Sequence, residues 1–236
     1  KGRDTVISAH TISDVENMRL HLNSNNLLVR INPIGGHSKQ EIENVIAAGA
    51  DAIMLPFFKT TQEIRAFVEM VNSRCKVFLL LETLDGIRIL SDILSVEGID
   101  YIHIGLNDLH IERKTKFMFE FMADGSIDPI ASLLRSKQMK FGIGGISRYG
   151  KLSPPAESVL TEHIRLGSCG TILSRSFMDT VRMTSVQDFC LQFKVELEKL
   201  NNHLFRLRDE DSSFFEKNKK YFVSKVAKVV AEINEK

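Results

Sequence analysis

Short apolar runs recur along the chain, each followed by a stretch with helical spacing. They are Asp4–Ser8, Asn26–Ile31, Ala52–Pro56, Lys76–Glu82, Asp100–Gly105, Lys140–Gly144 and Gly170–Ser174. Nearly all are continuous rather than alternating, as strands covered on both faces are. Strands that alternate with helices predict a parallel sheet with crossover connections. Helix starts are marked too. Ser38–Glu41 and Thr60–Glu63 read as capping boxes, in which a hydroxyl and a carboxylate each take a free backbone N–H. Pro154 and Pro155 suit the first turn of a helix running through Ala156 to Leu166.

The junctions Gly49-Ala-Asp51 and Gly98-Ile-Asp100 each stop a helix and enter a strand. This repetition favours an α/β fold of the (β/α)8 TIM-barrel type over an open doubly wound sheet, since no G-x-G-x-x-G loop follows an early strand. Arg30, Pro56, Glu82 and Asn107-Asp108 then fall at C-terminal strand ends, where such barrels build their active sites. The barrel is assigned to residues 1–184 and a helical segment to residues 185–236. In that segment Phe189, Phe193, Leu197, Leu200, Leu204 and Leu207 form one apolar stripe. The stripe suits either a helix folded against its own barrel or an appended hairpin packed on a second subunit, which would make the protein a homo-oligomer through its C-terminal helices. Lys217, Lys219, Lys220, Lys225 and Lys228 read as a solvated face.

Composition narrows the function classes. A chain of 236 residues, 43% hydrophobic, can bury one large core. A formal net charge of +1 gives no global field for nucleic acid or an anionic membrane, so neither is expected as a partner. Cys75, Cys169 and Cys190 are odd in number and unclustered, which speaks against zinc or redox chemistry and for reduced thiols. With no apolar run of membrane-spanning length and no signal-like start, a cytoplasmic location is expected.

A carboxylate closing the run Val77–Leu81 requires a cationic partner, because a buried unpaired charge costs several kcal/mol. Asp108 follows the next strand in the same way. Two such carboxylates side by side either raise one pKa or share a cation, and hard oxygen donors from only two residues suit Mg2+ or Mn2+. A salt bridge from Glu82 to Arg30 or Arg88 is the other reading. Arg30 can clamp a substrate carboxylate, pair with Glu82, or do both. Gly144, Gly145 and Ser174, in Gly142–Gly145 and Ser174-Arg-Ser176, lie where barrels often hold phosphate, although a glycine pair also serves tight packing. His103 reads as a satisfied core residue, and His21 and His203 as helix-surface residues. His10, His37 and His110 sit on loops able to reach the rim, with His110 just past Asp108 the candidate catalytic histidine. Cys169 reads as barrel packing, since no base is placed beside it.

Leu80-Leu-Glu-Thr83, the stretch Gly98–Leu109 ending in Gly-Leu-Asn-Asp-Leu, Val29-Arg-Ile-Asn-Pro33 and Ala50–Pro56 together resemble the HpcH/HpaI aldolase and citrate lyase beta-subunit family, within the phosphoenolpyruvate/pyruvate-binding barrels. The resemblance runs from about Asp4 to Phe177. It implies a divalent-metal-dependent carbon–carbon lyase acting on pyruvate, oxaloacetate or a related small keto-acid. Glu82 and Asp108 would be its metal ligands and Arg30 its carboxylate anchor. Backbone amides around Leu55, Pro56 and Phe57 are positioned to help seat the carboxylate. The family's first two strands are expected to be missing ahead of Asp4. The stretch Leu109–Phe119 also lacks the Ser common after Asp-Leu in the aldolase branch, which bears on substrate choice. Two other readings remain: a phosphoenolpyruvate or phosphorylated-substrate enzyme of the same barrel group, and a non-catalytic binding or assembly subunit.

Overall fold

Residues 10–22, 26–150, 152–178 and 185–235 are described by a computed structural model. Six strands, β1 (Leu28–Arg30), β2 (Ala52–Leu55), β3 (Lys76–Leu81), β4 (Tyr101–Ile104), β5 (Phe141–Ile146) and β6 (Gly170–Leu173), pair in sequence order, every pair parallel. Between them run α2 (Ser38–Ala47), α3 (Thr61–Val71), the short α4 (Leu84–Arg88) and α5 (Leu90–Ile93), then α6 (Leu106–Arg113), α7 (Glu120–Ala123), α8 (Ile127–Ser136) and α9 (Ala156–Leu166). Helix α1 (Ile12–His21) precedes the sheet, and α10 (Val186–Arg206) and α11 (Ser212–Asn234) follow it. Parallel strands in sequence order with helices between them make a half-barrel, the winding expected of a partial TIM barrel. The predicted strand at Asp4–Ser8 lies outside the described residues.

Side-chain alternation divides the sheet into two faces. Ile53, Leu55, Val77, Leu79, Leu81, Ile102, Ile104, Phe141 and Ile143 join the main core with Ile42, Ile64, Phe67 and Leu134 of the helices. The intervening positions, Met54, Phe78, Leu80, Tyr101 and His103, form the inner face, where the Phe78 and Tyr101 rings stack at 4.7 Å. Burial on both faces, predicted for nearly all strands, holds in the middle of the sheet and fails at its edges. Leu28 of β1 is 41% exposed and Ile172 of β6 is 51% exposed, because each strand has one neighbour among the described residues.

The repeated helix–Gly–Asp–strand junction has a direct physical cause. Gly49 (φ 94°) and Gly98 (φ 88°) adopt a left-handed turn that side chains disfavour. The aspartate that follows then ties down the start of the preceding strand. Asp51 accepts from the Leu27 amide at 2.7 Å, and Asp100 from the Val77 amide at 2.9 Å.

Helix starts agree with the sequence in two places and depart in one. Thr60 and Glu63 form the capping box of α3, and Pro155 is the N-cap of α9. The box expected at Ser38–Glu41 does not form. The Gly35-Gly36-His37 turn makes His37 the N-cap, so Ser38 already lies inside α2 and its hydroxyl accepts from the Gly35 amide at 2.8 Å. Glu41 instead accepts from the Asn32 amide and side chain, at 3.1 and 2.7 Å.

Both C-terminal helices pack on their own chain. Leu200 of α10 is buried in a second cluster with Ile146, Ala156, Leu160 and Phe177, against which Phe193 and Leu204 also pack. Phe222 and Val226 of α11 enter the main core. Polar contacts join α11 to α8 and α9: the Asn218 amide donates to Glu162 at 2.9 Å, and Lys219 pairs with Asp128 at 3.2 Å. Lys219 therefore departs from the predicted solvated lysine face. His203 is likewise no surface residue. It is half-buried, with Nε2 3.0 Å from the Thr161 hydroxyl and its ring against Tyr149. Among the described residues, no helix is long and apolar enough to cross a membrane.

Candidate active site

Glu82 leaves the end of β3 on the inner-face side, in step with Phe78 and Leu80, and is only 3% exposed. Three neighbours define its setting. Gly105, at the end of β4, is bound through its amide to the Leu81 carbonyl, and a Cβ there would stand 2.8 Å from Glu82 Cβ and 3.2 Å from Oε2. The Phe57 amide donates to Glu82 Oε1 at 3.2 Å, from a loop in which Phe57 takes a left-handed φ of 51°. Asp108, in the first turn of α6, shares a side-chain hydrogen bond with Glu82.

The electrostatics follow from this packing. Burial and then the adjacent Asp108 push the Glu82 carboxyl up to about 8, against the Phe57 amide and the Arg30 guanidinium, which favour its charged form. Two carboxyl groups in hydrogen-bond contact thus hold a proton between them at neutral pH. A divalent cation can take that proton's place. The donor set fits such an ion. It offers two hard oxygen ligands on a partly enclosed face, with a glycine where any side chain would crowd Glu82. Among the described residues no cluster of three or more His, Cys, Asp or Glu could hold a metal ion, so the described part of the site offers these two carboxylates.

Thr83 has a separate task. Its buried hydroxyl donates to the Phe58 carbonyl at 2.8 Å and accepts from the Gly86 amide at 3.0 Å, capping α4 and joining the loops after β2 and β3. Glu82 is therefore held between two anchored loops.

The other predicted residues are distributed as follows. Arg30 ends β1, exposed, yet near enough to act on Glu82. The Leu55 side chain belongs to the outer core, Pro56 is buried, and the Phe57 amide in this loop is directed at Glu82. Gly144 abuts Leu106 at the start of α6, and the Ser174 hydroxyl lies 2.9 Å from that of Ser176. His110 sits two residues past Asp108, roughly 200° further round α6. Its Nδ1 contacts the Asn107 carbonyl, and burial pushes its pKa down. His10 and His37 are exposed. His103 is buried as expected: burial lowers its pKa to about 4, against a hydrogen bond to the Gly144 backbone. Cys169, expected in barrel packing, is exposed because it opens the edge strand β6, and its thiol donates to the Phe141 carbonyl at 3.2 Å.

Sequence reasoning missed Gly105, and it gave the amides around Phe57 to the substrate carboxylate, not to Glu82, which accepts from the Phe57 amide. Gly105 stands in the Gly-Leu-Asn-Asp motif, where a glycine between a strand and a helix signals close backbone approach. A backbone amide leaves no such signal. Gly142 and Gly170 turn out to serve packing: the Tyr101 hydroxyl and, at Gly142, the His103 ring fill the space a Cβ would need.

Arg30, Glu82 and Asp108 all lie within residues 8–121. That segment matches the HpcH/HpaI aldolase/citrate lyase family model. Several solved structures share the fold. An HpcH/HpaI aldolase from Desulfitobacterium hafniense DCB-2 superposes with a TM-score of 0.60 at 13% identity, covering 74% of this chain and 77% of that one. The citrate synthase SbnG gives 0.59 at 16% identity, over 84% and 82% of the two chains. A citrate lyase from Burkholderia xenovorans LB400 gives 0.57 at 13% identity, over 74% and 64%. No curated protein matches the chain by sequence. At these identities the superpositions speak for the fold alone, while the HpcH/HpaI match speaks for the segment that carries the carboxylate pair.

Proposed function

We propose that the chain is a divalent-metal-dependent carbon–carbon lyase or aldolase acting on a small 2-keto acid such as pyruvate or oxaloacetate. The observation that carries this reading is the buried Glu82, hydrogen-bonded to the half-buried Asp108 at the C-terminal end of the sheet, with Arg30 close enough to act on it. Mg2+ or Mn2+, when bound, supplies Lewis acidity toward the enolate of a keto-acid. Glu82 and Asp108 would hold the ion. Gly105 and the Phe57 amide fix the Glu82 carboxylate, so that little reorganisation accompanies reaction. Arg30, with a planar guanidinium free to approach from the exposed edge, would seat the substrate carboxylate and neutralise its charge. Burial of Glu82 limits water, which would otherwise protonate an enolate.

The same enolate serves cleavage and condensation, so a fold shared with citrate lyase and citrate synthase fits either direction. The test is Mn2+ binding followed by electron paramagnetic resonance. Wild-type protein should bind one ion, and Glu82→Gln and Asp108→Asn should each weaken it tenfold or more. Equal affinity in all three would remove the metal from this site and the reading with it.

A further inference from the structure

The loops after β5 and β6 leave two hydrogen-bond donors over. Arg148 is half-buried just past β5, and its Nε is excluded from solvent with no hydrogen-bond partner among the described residues. None of the ion pairs among the described residues involves it. Its backbone is nevertheless anchored, because the Arg148 amide donates to Ser176 Oγ at 3.0 Å. Ser176 Oγ lies 2.9 Å from Ser174 Oγ, which also accepts from the Ser176 amide at 3.3 Å. Two hydroxyl hydrogens share this single oxygen–oxygen contact, so whichever serine donates, the other O–H remains available.

A cation with a buried, unanswered N–H, in a residue whose backbone is tied to a serine pair with a spare hydroxyl, calls for an acceptor that is charged and made of oxygen. Leaving such a donor unsatisfied costs about 1–3 kcal/mol, more for a charged group. The site has the right address. Parallel strands put the ends of β5 and β6 on the same face as Glu82 and Asp108, and Gly144 of β5 packs against Leu106, two residues before Asp108. Arg175, exposed in the turn after β6, adds positive charge.

The geometry points to a second anion subsite, in which Arg148 and the Ser174–Ser176 hydroxyls hold a phosphate or carboxylate group of the substrate remote from its keto-acid end. The inference rests on the keto-acid reading for what occupies the other end. It narrows the substrate class to molecules with two anionic groups, for which pyruvate alone is too short.

The experiment is isothermal titration of the full chain with inorganic phosphate and, separately, with malonate, in EDTA so that no divalent ion takes part. Wild-type protein should bind at least one of them at one site per chain. Arg148→Gln should weaken that binding tenfold or more, Arg148→Lys by less, and Lys217→Gln, which removes an exposed cation of α11, should leave it within twofold of wild type. Preference for phosphate would assign a phosphorylated substrate, and preference for malonate a dicarboxylate. If Arg148→Gln melts well below wild type, Ser174→Ala carries the test, with a threefold or greater loss expected. No binding to wild type, or binding unchanged by these substitutions, overturns the subsite. Mn2+ binding separates the two claims. Anion binding that needs Arg148 in a protein that binds no Mn2+ keeps the subsite and removes the lyase reading. Mn2+ binding through Glu82 without Arg148-dependent anion binding does the reverse.

Discussion

Gly105 lies against Glu82 so closely that a single added methyl group would stand 2.8 Å from Glu82 Cβ and 3.2 Å from Oε2. The backbone of Gly105, at φ −85° and ψ 92°, suits any residue, so the requirement for glycine is one of space. Gly105→Ala should therefore fold, with a melting temperature a few degrees lower, and displace the carboxylate. Metal affinity should fall at least tenfold, as measured by Mn2+ titration. Unchanged affinity would mean that Glu82 tolerates displacement and is no fixed ligand.

Glu82 should destabilise the metal-free protein at alkaline pH. Its carboxyl is raised to about 8 in the fold, against about 4.3 in an unfolded chain. The native state thus binds more protons between those values, stability falls as pH rises through the window, and the penalty is complete above about 8. Glu82→Gln removes the charge and keeps an oxygen for the Phe57 amide. At pH 8.5 in EDTA the variant should be more stable to urea than wild type by about 1–3 kcal/mol. The difference should shrink toward pH 5, and Mg2+ should stabilise only wild type.

His103 and His163 make the fold acid-labile. Burial lowers their pKa to about 4 and about 3, and His163, on α9, is 2% exposed with no partner for Nε2 among the described residues. Both are neutral in the fold, whereas an unfolded histidine titrates near 6.5. Their contribution is intact above about pH 6.5 and is lost as pH falls through 6.5 toward those values, at about 1.4 kcal/mol per pH unit for each site. Urea titrations from pH 7 to pH 4 should show this slope, and His163→Leu should reduce it by the share of one histidine.

Thr83→Val keeps the shape and removes the hydroxyl. The Phe58 carbonyl and the Gly86 amide would each lose a buried partner. A loss of about 2–4 kcal/mol in chemical denaturation is expected. Because this hydroxyl fixes the loops on either side of Glu82, metal affinity should drop as well.

Much of this was legible in the sequence, for reasons that residues make plain. Continuous apolar runs announced β2 to β5, and Gly49-Ala-Asp51 and Gly98-Ile-Asp100 announced the winding, because a left-handed glycine and a strand-tying aspartate are local chemistry. Glu82 and Asp108 stood out because carboxylates at the ends of apolar strands demand an explanation. What stayed hidden depends on contacts between distant segments. The Phe57 amide reaches Glu82 across 25 positions, and Ser158 and Glu162 are buried because Asn218 answers them from nearly 60 positions away. The Ser38 box failed for a nearer reason: a turn three residues earlier offered its hydroxyl a different amide.

The most direct test of the central claim is exchange of the pyruvate methyl protons with D2O, followed by proton NMR with and without Mg2+ or Mn2+. It asks only whether the site forms an enolate and needs no second substrate. Exchange that requires metal and falls at least a hundredfold in Glu82→Gln and Asp108→Asn is the predicted result. Metal bound at Glu82 and Asp108 without exchange of pyruvate, or of a longer keto-acid with a second anionic group, would contradict it.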